Sequence, residues 1–128
     1  MNKLDQLPEN VFNKVEVVAI ATTGADGPHI AATWADFTIV KQAYGKDLVL
    51  IPAGGYKTTE ENLKKDPRIQ LLIGSKQLQG KSGAGSGYRL SGVGVIETTG
   101  ANYETVLARF SWARAALVIE VQSVEQLL

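Results

Sequence analysis

A chain of 128 residues and 13.7 kDa is long enough for one domain and too short for two cores of ordinary size, so we expect a single domain over residues 1–128. Thirteen basic residues balance thirteen acidic ones, and this formal net charge of zero provides no long-range attraction to nucleic acid or to an anionic membrane. The absence of cysteine excludes disulfides, thiolate metal sites and thiol nucleophiles, and one histidine, His29, excludes a metal site with several imidazole ligands.

The chain begins with a polar segment, residues 1–6, and its longest early apolar run, residues 17–21, is far shorter than the ~20 residues that span a membrane. This pattern predicts a cytoplasmic protein.

Val11, Phe12 and Val15 follow Pro8 at helical spacing and predict a short amphipathic helix over residues 7–15.

The first half of the chain has the pattern of three antiparallel strands. Residues 17–23 are apolar and β-branched, and the segment 24–28 contains the Gly, Asp and Pro residues that reverse a chain. Residues 29–41 and 47–52 predict the second and third strands, joined by a short turn at 43–46.

The second half mixes helices and strands. Thr58 and Glu61 have the spacing of a capping box, which predicts a helix that starts near Thr58 and ends before Pro67. Strands are predicted over 68–73, 88–98 and 115–121, with a Gly/Ser loop at 80–87 and a helix over 102–113. Six strands with few helices favour a mainly β fold in which an antiparallel barrel closes and removes exposed edges.

Motifs for nucleotide and hydrolase chemistry are incomplete. Gly80-Lys81-Ser82 has Ser75 where a P-loop needs its first glycine, and counting from Gly85 places Leu90 at the last glycine of a dinucleotide fingerprint. No G-x-S-x-G elbow accompanies His29, so we interpret His29 as a residue at the start of a strand.

Lys57, Thr58 and Thr59 form a more promising pattern. A helix start offers unpaired N–H groups and the positive end of a dipole, and these residues add one cation and two hydroxyls, a donor set suited to a phosphate. The alternative is that Thr58 only caps the helix and Lys57 is a solvated charge. Gly54-Gly55 allows a flat ring to approach the backbone, or is simply a tight turn.

Trp34 and Trp112 are the two tryptophans of the chain, and the sequence leaves open whether they belong to the core or stack on a ligand.

A longer series of segments, taken in order along the chain, indicates a protein family. The chain contains Val17-Val18-Ala19-Ile20-Ala21-Thr22, Asp26-Gly27-Pro28-His29, Thr33-Trp34, Pro52-Ala53-Gly54-Gly55, Thr59-Glu60-Glu61-Asn62 and residues 108–119 in this order. This series, with the tail at 123–128, resembles the small FMN-binding proteins of sulfate-reducing bacteria, which belong to the pyridoxamine 5′-phosphate oxidase-like split barrels.

The resemblance implies a six-stranded antiparallel split β-barrel that binds FMN as its cofactor at the interface of a homodimer. It implies a flavoprotein that acts as an electron carrier or as a flavin reductase, with an unknown redox partner and with no catalytic acid or base. The alternatives are an FMN-dependent oxidase or reductase of one small molecule, and a barrel that binds a phosphorylated ligand without chemistry.

The resemblance also assigns the cofactor site. It places the phosphate beside Thr33 and the helix start, and the ring along residues 51–55, with Trp112 and Leu128 arriving from the partner subunit. The implied cofactor-binding residues are Thr33, Trp34, Phe37, Ile51, Pro52, Ala53, Gly54, Gly55, Lys57, Thr58, Thr59, Trp112 and Leu128.

The chain departs from the family pattern at two positions. Ala32 stands where an Asn usually precedes Thr-Trp, and Thr58 stands where a Lys usually precedes the Thr that leads into Glu. One phosphate donor is therefore lost or displaced, and Lys57 and Arg89 are the residues that could replace it.

Overall fold

The computed structural model describes residues 3–128, so the first two residues of the polar start lie outside the described range. One seven-stranded antiparallel sheet with the order β2-β1-β5-β6-β7-β4-β3 forms most of the molecule. The strands are β1 (Val17–Gly24), β2 (Gly27–Trp34), β3 (Ile39–Ala43), β4 (Lys46–Ala53), β5 (Arg68–Gln79), β6 (Ala84–Glu97) and β7 (Ala115–Gln126), and the helices are α1 (Lys57–Lys65) and α2 (Ala101–Arg109). No helix among residues 3–128 is long and apolar enough to cross a membrane.

The sheet is curled, because the short link between β2 and β3 requires it. These strands lie at opposite ends of the strand order, which is about 29 Å across a flat sheet of seven strands. Trp34 and Ile39 are five residues apart, a distance of at most about 18 Å along an extended chain. The two edges must therefore approach each other, and the fold is the split β-barrel that the sequence predicts.

The strand count is seven rather than the expected six, because the segment 29–41 is not one strand. A 3₁₀ turn at Ala35–Phe37 divides it. The Ala35 N–H donates to the Glu16 carbonyl at 2.8 Å, and the Thr38 hydroxyl donates to the Ala35 carbonyl at 2.6 Å. These bonds turn the chain away from β1 at the point where the barrel splits.

The barrel interior holds the main core, which is built from alternate residues of the central strands. Ile20, Leu71, Ile73, Leu117 and Ile119 are among its fully buried members. A second, smaller core lies under α2, where Val106 packs with residues of β4 and β7. Gly92 lies at a register shift between β6 and β7, where a Cβ atom would be 1.8 Å from the Glu120 carbonyl oxygen.

Several predicted boundaries were wrong. The helix expected over 7–15 is reduced to a 3₁₀ turn at Val11–Asn13, because Asn10 takes a left-handed conformation with φ 58°. A second 3₁₀ turn, at Lys3–Gln6, precedes the predicted range. The second helix ends at Arg109 rather than residue 113. β5 and β6 extend into the Gly/Ser segment, where Gly80 N–H donates to the Gly83 carbonyl at 2.7 Å, so the loop expected at 80–87 is only four residues long. β7 likewise runs on to Gln126.

The capping box was also wrong, although the helix is present. α1 begins at Lys57, one residue earlier than expected, and Thr58 therefore lies inside its first turn. The N-cap position belongs to Tyr56, whose side chain makes no capping hydrogen bond. The predicted end before Pro67 is confirmed.

Candidate functional site

A groove of about 460 Å³ opens where the barrel splits, between the end of β2 and the loop that joins β4 to α1. Seven of the predicted site residues line it: Thr33, Trp34, Phe37, Pro52, Gly54, Gly55 and Trp112. Val17, Ala32 and Tyr56 complete the lining. Residues that are 78 positions apart in the chain, from Trp34 to Trp112, therefore meet in one place.

Aromatic rings form one wall of the groove. Phe37, Phe110 and Trp112 pack as a triad with ring centroids 5.2–5.9 Å apart and tilted planes. Trp34 is 56% exposed and Trp112 is 53% exposed, so neither tryptophan is a core residue. Trp112 lines the groove of its own chain, whereas the resemblance had implied that it arrives from a partner.

The end of β4 forms the floor of the groove. Gly54 is in contact with the Trp112 ring, since a Cβ atom there would be 3.3 Å from Cζ3, whereas nothing lies within 4 Å of a Cβ at Gly55. The absence of side chains exposes the backbone of both glycines to a flat ligand. Ile51 and Ala53 are fully buried and do not line the groove.

The start of α1 adjoins the groove through Tyr56. The first N–H bonded within this turn is that of Glu60, which donates to the Tyr56 carbonyl at 2.9 Å. The N–H groups of Lys57, Thr58 and Thr59 have no acceptor among the described residues, as is usual for a helix start. Lys57 and Thr58 are exposed, whereas Thr59 is 1% exposed and its Oγ1 atom is buried without a hydrogen-bond partner in residues 3–128.

Tyr56 is a groove residue that the sequence analysis missed. Its backbone is left-handed, with φ 63°, and its hydroxyl donates to the Ala32 carbonyl at 2.7 Å, so it bridges the split from the α1 side to β2. Burial raises the pKa of the Tyr56 hydroxyl above its ordinary value of 10.0, and a hydrogen bond from Thr33 partly offsets this increase in pKa. No local pattern marks this residue, because its partner is 24 positions away.

Arg114 is a second residue that was missed. Its guanidinium donates two hydrogen bonds to the Gly55 carbonyl, at 2.6 and 3.1 Å, and one to Glu60 Oε1 at 3.0 Å. Its backbone N–H donates to the Ala53 carbonyl at 2.9 Å. Arg114 therefore holds the glycine loop in place against the first turn of α1.

Arg89 and Leu128, two residues that the sequence analysis considered for the site, do not line the groove of this chain. Arg89, considered as a replacement phosphate donor, forms an ion pair with Glu125 on β7 and does not line the groove. The Leu128 carbonyl accepts a hydrogen bond from Ser86 Oγ at 2.9 Å, which places the chain end on β6 rather than at the groove of the same chain. His29 also lies outside the groove lining, and its Nδ1 atom is buried without a partner among the described residues.

The fold and the groove together define a split-barrel protein with an aromatic-lined groove beside a helix start. Residues 5–127 match the pyridoxamine 5′-phosphate oxidase family, and the chain belongs to this family.

The chain is also similar to individual proteins. It is 43% identical over 125 residues to the FMN-binding protein of Nitratidesulfovibrio vulgaris strain Miyazaki F, a match that covers 95% of this chain and 99% of that protein. The Group A Streptococcus protein HupZ has the same fold, with a TM-score of 0.71 at 19% identity and coverage of 95% and 94% of the two chains. An FMN-binding protein from Syntrophomonas wolfei superposes with a TM-score of 0.61 at 11% identity, covering 92% of this chain and 82% of that one.

Proposed function

We propose that this chain binds FMN in the groove and serves as an electron-transfer flavoprotein, either a carrier or a flavin reductase. The observation that carries the proposal is the buried Thr59 hydroxyl, which has no partner in the described protein and lies at a helix start beside an aromatic groove. Buried polar groups are nearly always hydrogen-bonded, and an unpartnered one beside a groove is a candidate contact for a ligand. The similarity to the FMN-binding protein of N. vulgaris supports the choice of ligand.

The phosphate end of the site would consist of the helix start. An FMN phosphate carries roughly −1.5 to −2 charges at neutral pH, as a phosphate monoester on a protein does. The free N–H groups of Lys57, Thr58 and Thr59, the Thr59 hydroxyl and the Lys57 ammonium are the donors this end provides. Thr33 contributes from β2, across the groove.

The ring end of the site would consist of the glycine loop and the tryptophans. Backbone N–H groups at Gly54 and Gly55 can donate to ring carbonyl oxygens, because neither glycine has a side chain of its own to hold a flat ring away from the backbone. Trp34, Phe37 and Trp112 provide apolar walls that disfavour a charged form of the ring and thereby shift its reduction potential. FMN itself supplies the electron chemistry, and the protein supplies binding, orientation and local polarity.

We also propose that a second copy of the chain completes the site. Trp34 and Trp112 are both more than half exposed, so one chain alone leaves a ring between them open to water. The apolar surface continues from the groove along the outer face of the sheet, where Ile30 is 73% exposed and Leu72 is 49% exposed. Such a patch on an edge strand is typical of a protein–protein interface. Leu127, which is also exposed, lies beside Ile30 and Leu72 on this face.

The proposal is tested by titrating the purified, flavin-free protein with FMN and following the quenching of flavin fluorescence. The double variant K57A/T59A should weaken FMN binding by about 2–4 kcal/mol, because hydrogen bonds to charged groups are worth about 1.5–3 kcal/mol each and are rarely additive. Riboflavin, which lacks the phosphate, should bind the variant and the wild type alike. An unchanged FMN titration would place the phosphate elsewhere.

The same preparation distinguishes the alternatives. Bleaching of the flavin absorbance by one small molecule, in the absence of a protein partner, would indicate a substrate-specific oxidase or reductase. Reduction that requires a redox protein, or turnover of added free flavin, would indicate the carrier or reductase. A colourless protein that takes up no FMN would favour a barrel that binds another phosphorylated ligand without redox chemistry.

A further inference from the structure

An ion pair links the groove wall to the first turn of α1. Arg114 Nη2 lies 3.0 Å from Glu60 Oε1, and the two side chains are only 25% and 21% exposed. The same guanidinium is bonded twice to the carbonyl of Gly55, a groove residue. Arg114 is thus a largely buried cation bonded to Glu60, a residue of the first turn of α1.

The charge of Arg114 is already neutralised. Glu60 takes one of its donors and compensates its charge, and the Gly55 carbonyl takes two further hydrogen bonds. Lys57, the other cation at this end, is exposed and forms no ion pair with a described residue. An exposed flexible ammonium contributes less binding energy than a buried, fixed cation, because solvent screens it and its ordering costs entropy. A phosphate at the helix start would therefore meet one exposed cation and otherwise neutral donors.

We propose that Glu60 limits the affinity of this site for a phosphorylated flavin by withholding the charge of Arg114. This inference rests on the proposed function and deepens it. Its consequence is that FMN binds less tightly than it would if the charge of Arg114 were free to act on the phosphate.

The variant E60Q tests this inference. It keeps a side chain of the same size that can still hydrogen-bond Arg114, but it removes the negative charge and so leaves the guanidinium charge uncompensated. We expect FMN affinity to rise about five- to tenfold, the size of a partly screened interaction between charges a few ångströms apart. Riboflavin affinity should change less than twofold.

The matched control is E61Q, which changes the net charge equally in the next residue of the helix. Glu61 pairs with Lys64 at 3.3 Å, and both side chains are well exposed, so its neutralisation does not free Arg114. FMN affinity should stay within twofold of the wild type. Adding Arg114→Gln to E60Q should abolish the gain, because the gain comes from the guanidinium. Circular dichroism of each variant checks that the fold is retained.

The outcomes separate this inference from the proposed function. Wild-type protein that binds neither FMN nor riboflavin would refute the proposed function, and this inference with it. Wild-type protein that binds FMN but gains no FMN affinity from E60Q would overturn the inference alone. So would equal effects of E60Q and E61Q, an equal gain for both flavins, or a gain that persists in the E60Q/R114Q double variant.

Discussion

At the scale of single residues, the contrast between Thr59 and Asn62 is informative. Both lie on the buried face of α1, at 1% and 8% exposure. Asn62 Nδ2 donates to the Thr22 hydroxyl at 3.1 Å, which satisfies both groups and ties the helix to β1. The Thr59 hydroxyl has no such partner in the described chain, although burying an unpaired hydroxyl costs about 1–3 kcal/mol. An anionic ligand at the start of α1 would accept a hydrogen bond from the Thr59 hydroxyl and so remove this energetic cost.

Thr59→Val should therefore separate stability from binding. Valine has nearly the same shape and a similar helix propensity, and it removes the unpaired hydroxyl, so the free energy of unfolding of the flavin-free protein should rise by about 1 kcal/mol. FMN binding should weaken about tenfold, because one donor to the phosphate is lost. Urea unfolding and FMN titration measure the two effects. A loss of stability in the flavin-free variant would show that the hydroxyl has a partner within the protein.

At the scale of elements, both ends of α1 depend on special local geometry. It begins after Tyr56 in a left-handed conformation and ends at Asp66, whose carboxylate accepts hydrogen bonds from the backbone N–H of Arg68 at 3.1 Å and from its guanidinium at 2.6 Å. These bonds cross Pro67 and join the helix to β5. The Arg68 side-chain hydrogen bonds hold the pKa of the Asp66 carboxyl at about 2, below its ordinary 3.8.

This pKa predicts a pH dependence of stability. The carboxyl is harder to protonate in the folded state, so its contribution is present above pH 3.8 and is lost as the pH falls toward about 2. The variant D66N lacks the titrating group, and its unfolding free energy should fall less than that of the wild type between pH 5 and pH 2.5. Urea denaturation at several pH values measures the difference. Asp26→Asn, in the exposed turn between β1 and β2, is the control, and its unfolding free energy should depend on pH as that of the wild type does. The same pH dependence in D66N and in the wild type would contradict the prediction.

At the scale of the whole molecule, barrel closure determines where the groove forms, and an apolar outer surface extends from it. The link between β2 and β3 brings the edges of the sheet together and leaves the groove at the gap. The exposed apolar face that includes Val17, Ile30, Trp34 and Leu72 extends from this groove. An apolar surface on an edge strand is an aggregation hazard unless another surface covers it. A second copy of the chain would cover it and close the groove at once.

Ile30→Lys should therefore weaken both self-association and FMN binding. A charge in the centre of an apolar interface must be buried without a partner, so we expect the dimer to dissociate at concentrations at which the wild type remains dimeric. FMN affinity should fall as well, because Trp34 and Trp112 lose the surface that excludes water. Sedimentation velocity and FMN titration measure the two effects. Val40→Lys, at an exposed apolar position of β3, should change neither. A wild type that is monomeric at tens of micromolar would refute the dimer.

Periodicity and turn residues in the sequence determined where most strands lie, the end of α1 before Pro67 and the mainly β class, because these depend on neighbours a few positions apart. They did not reveal the 3₁₀ turn that divides the segment 29–41 into two strands. The glycine pair that lines the groove was also recognisable, since glycines let a flat ligand approach the backbone, whereas the tryptophans were placed there by the family resemblance and not by a local pattern. The tertiary structure alone decided that Tyr56 reaches Ala32 and that Arg114 reaches Gly55 and Glu60, contacts that join positions 24, 59 and 54 residues apart. Local patterns carry no information about such pairs, because barrel closure, and not propensity, brings them together.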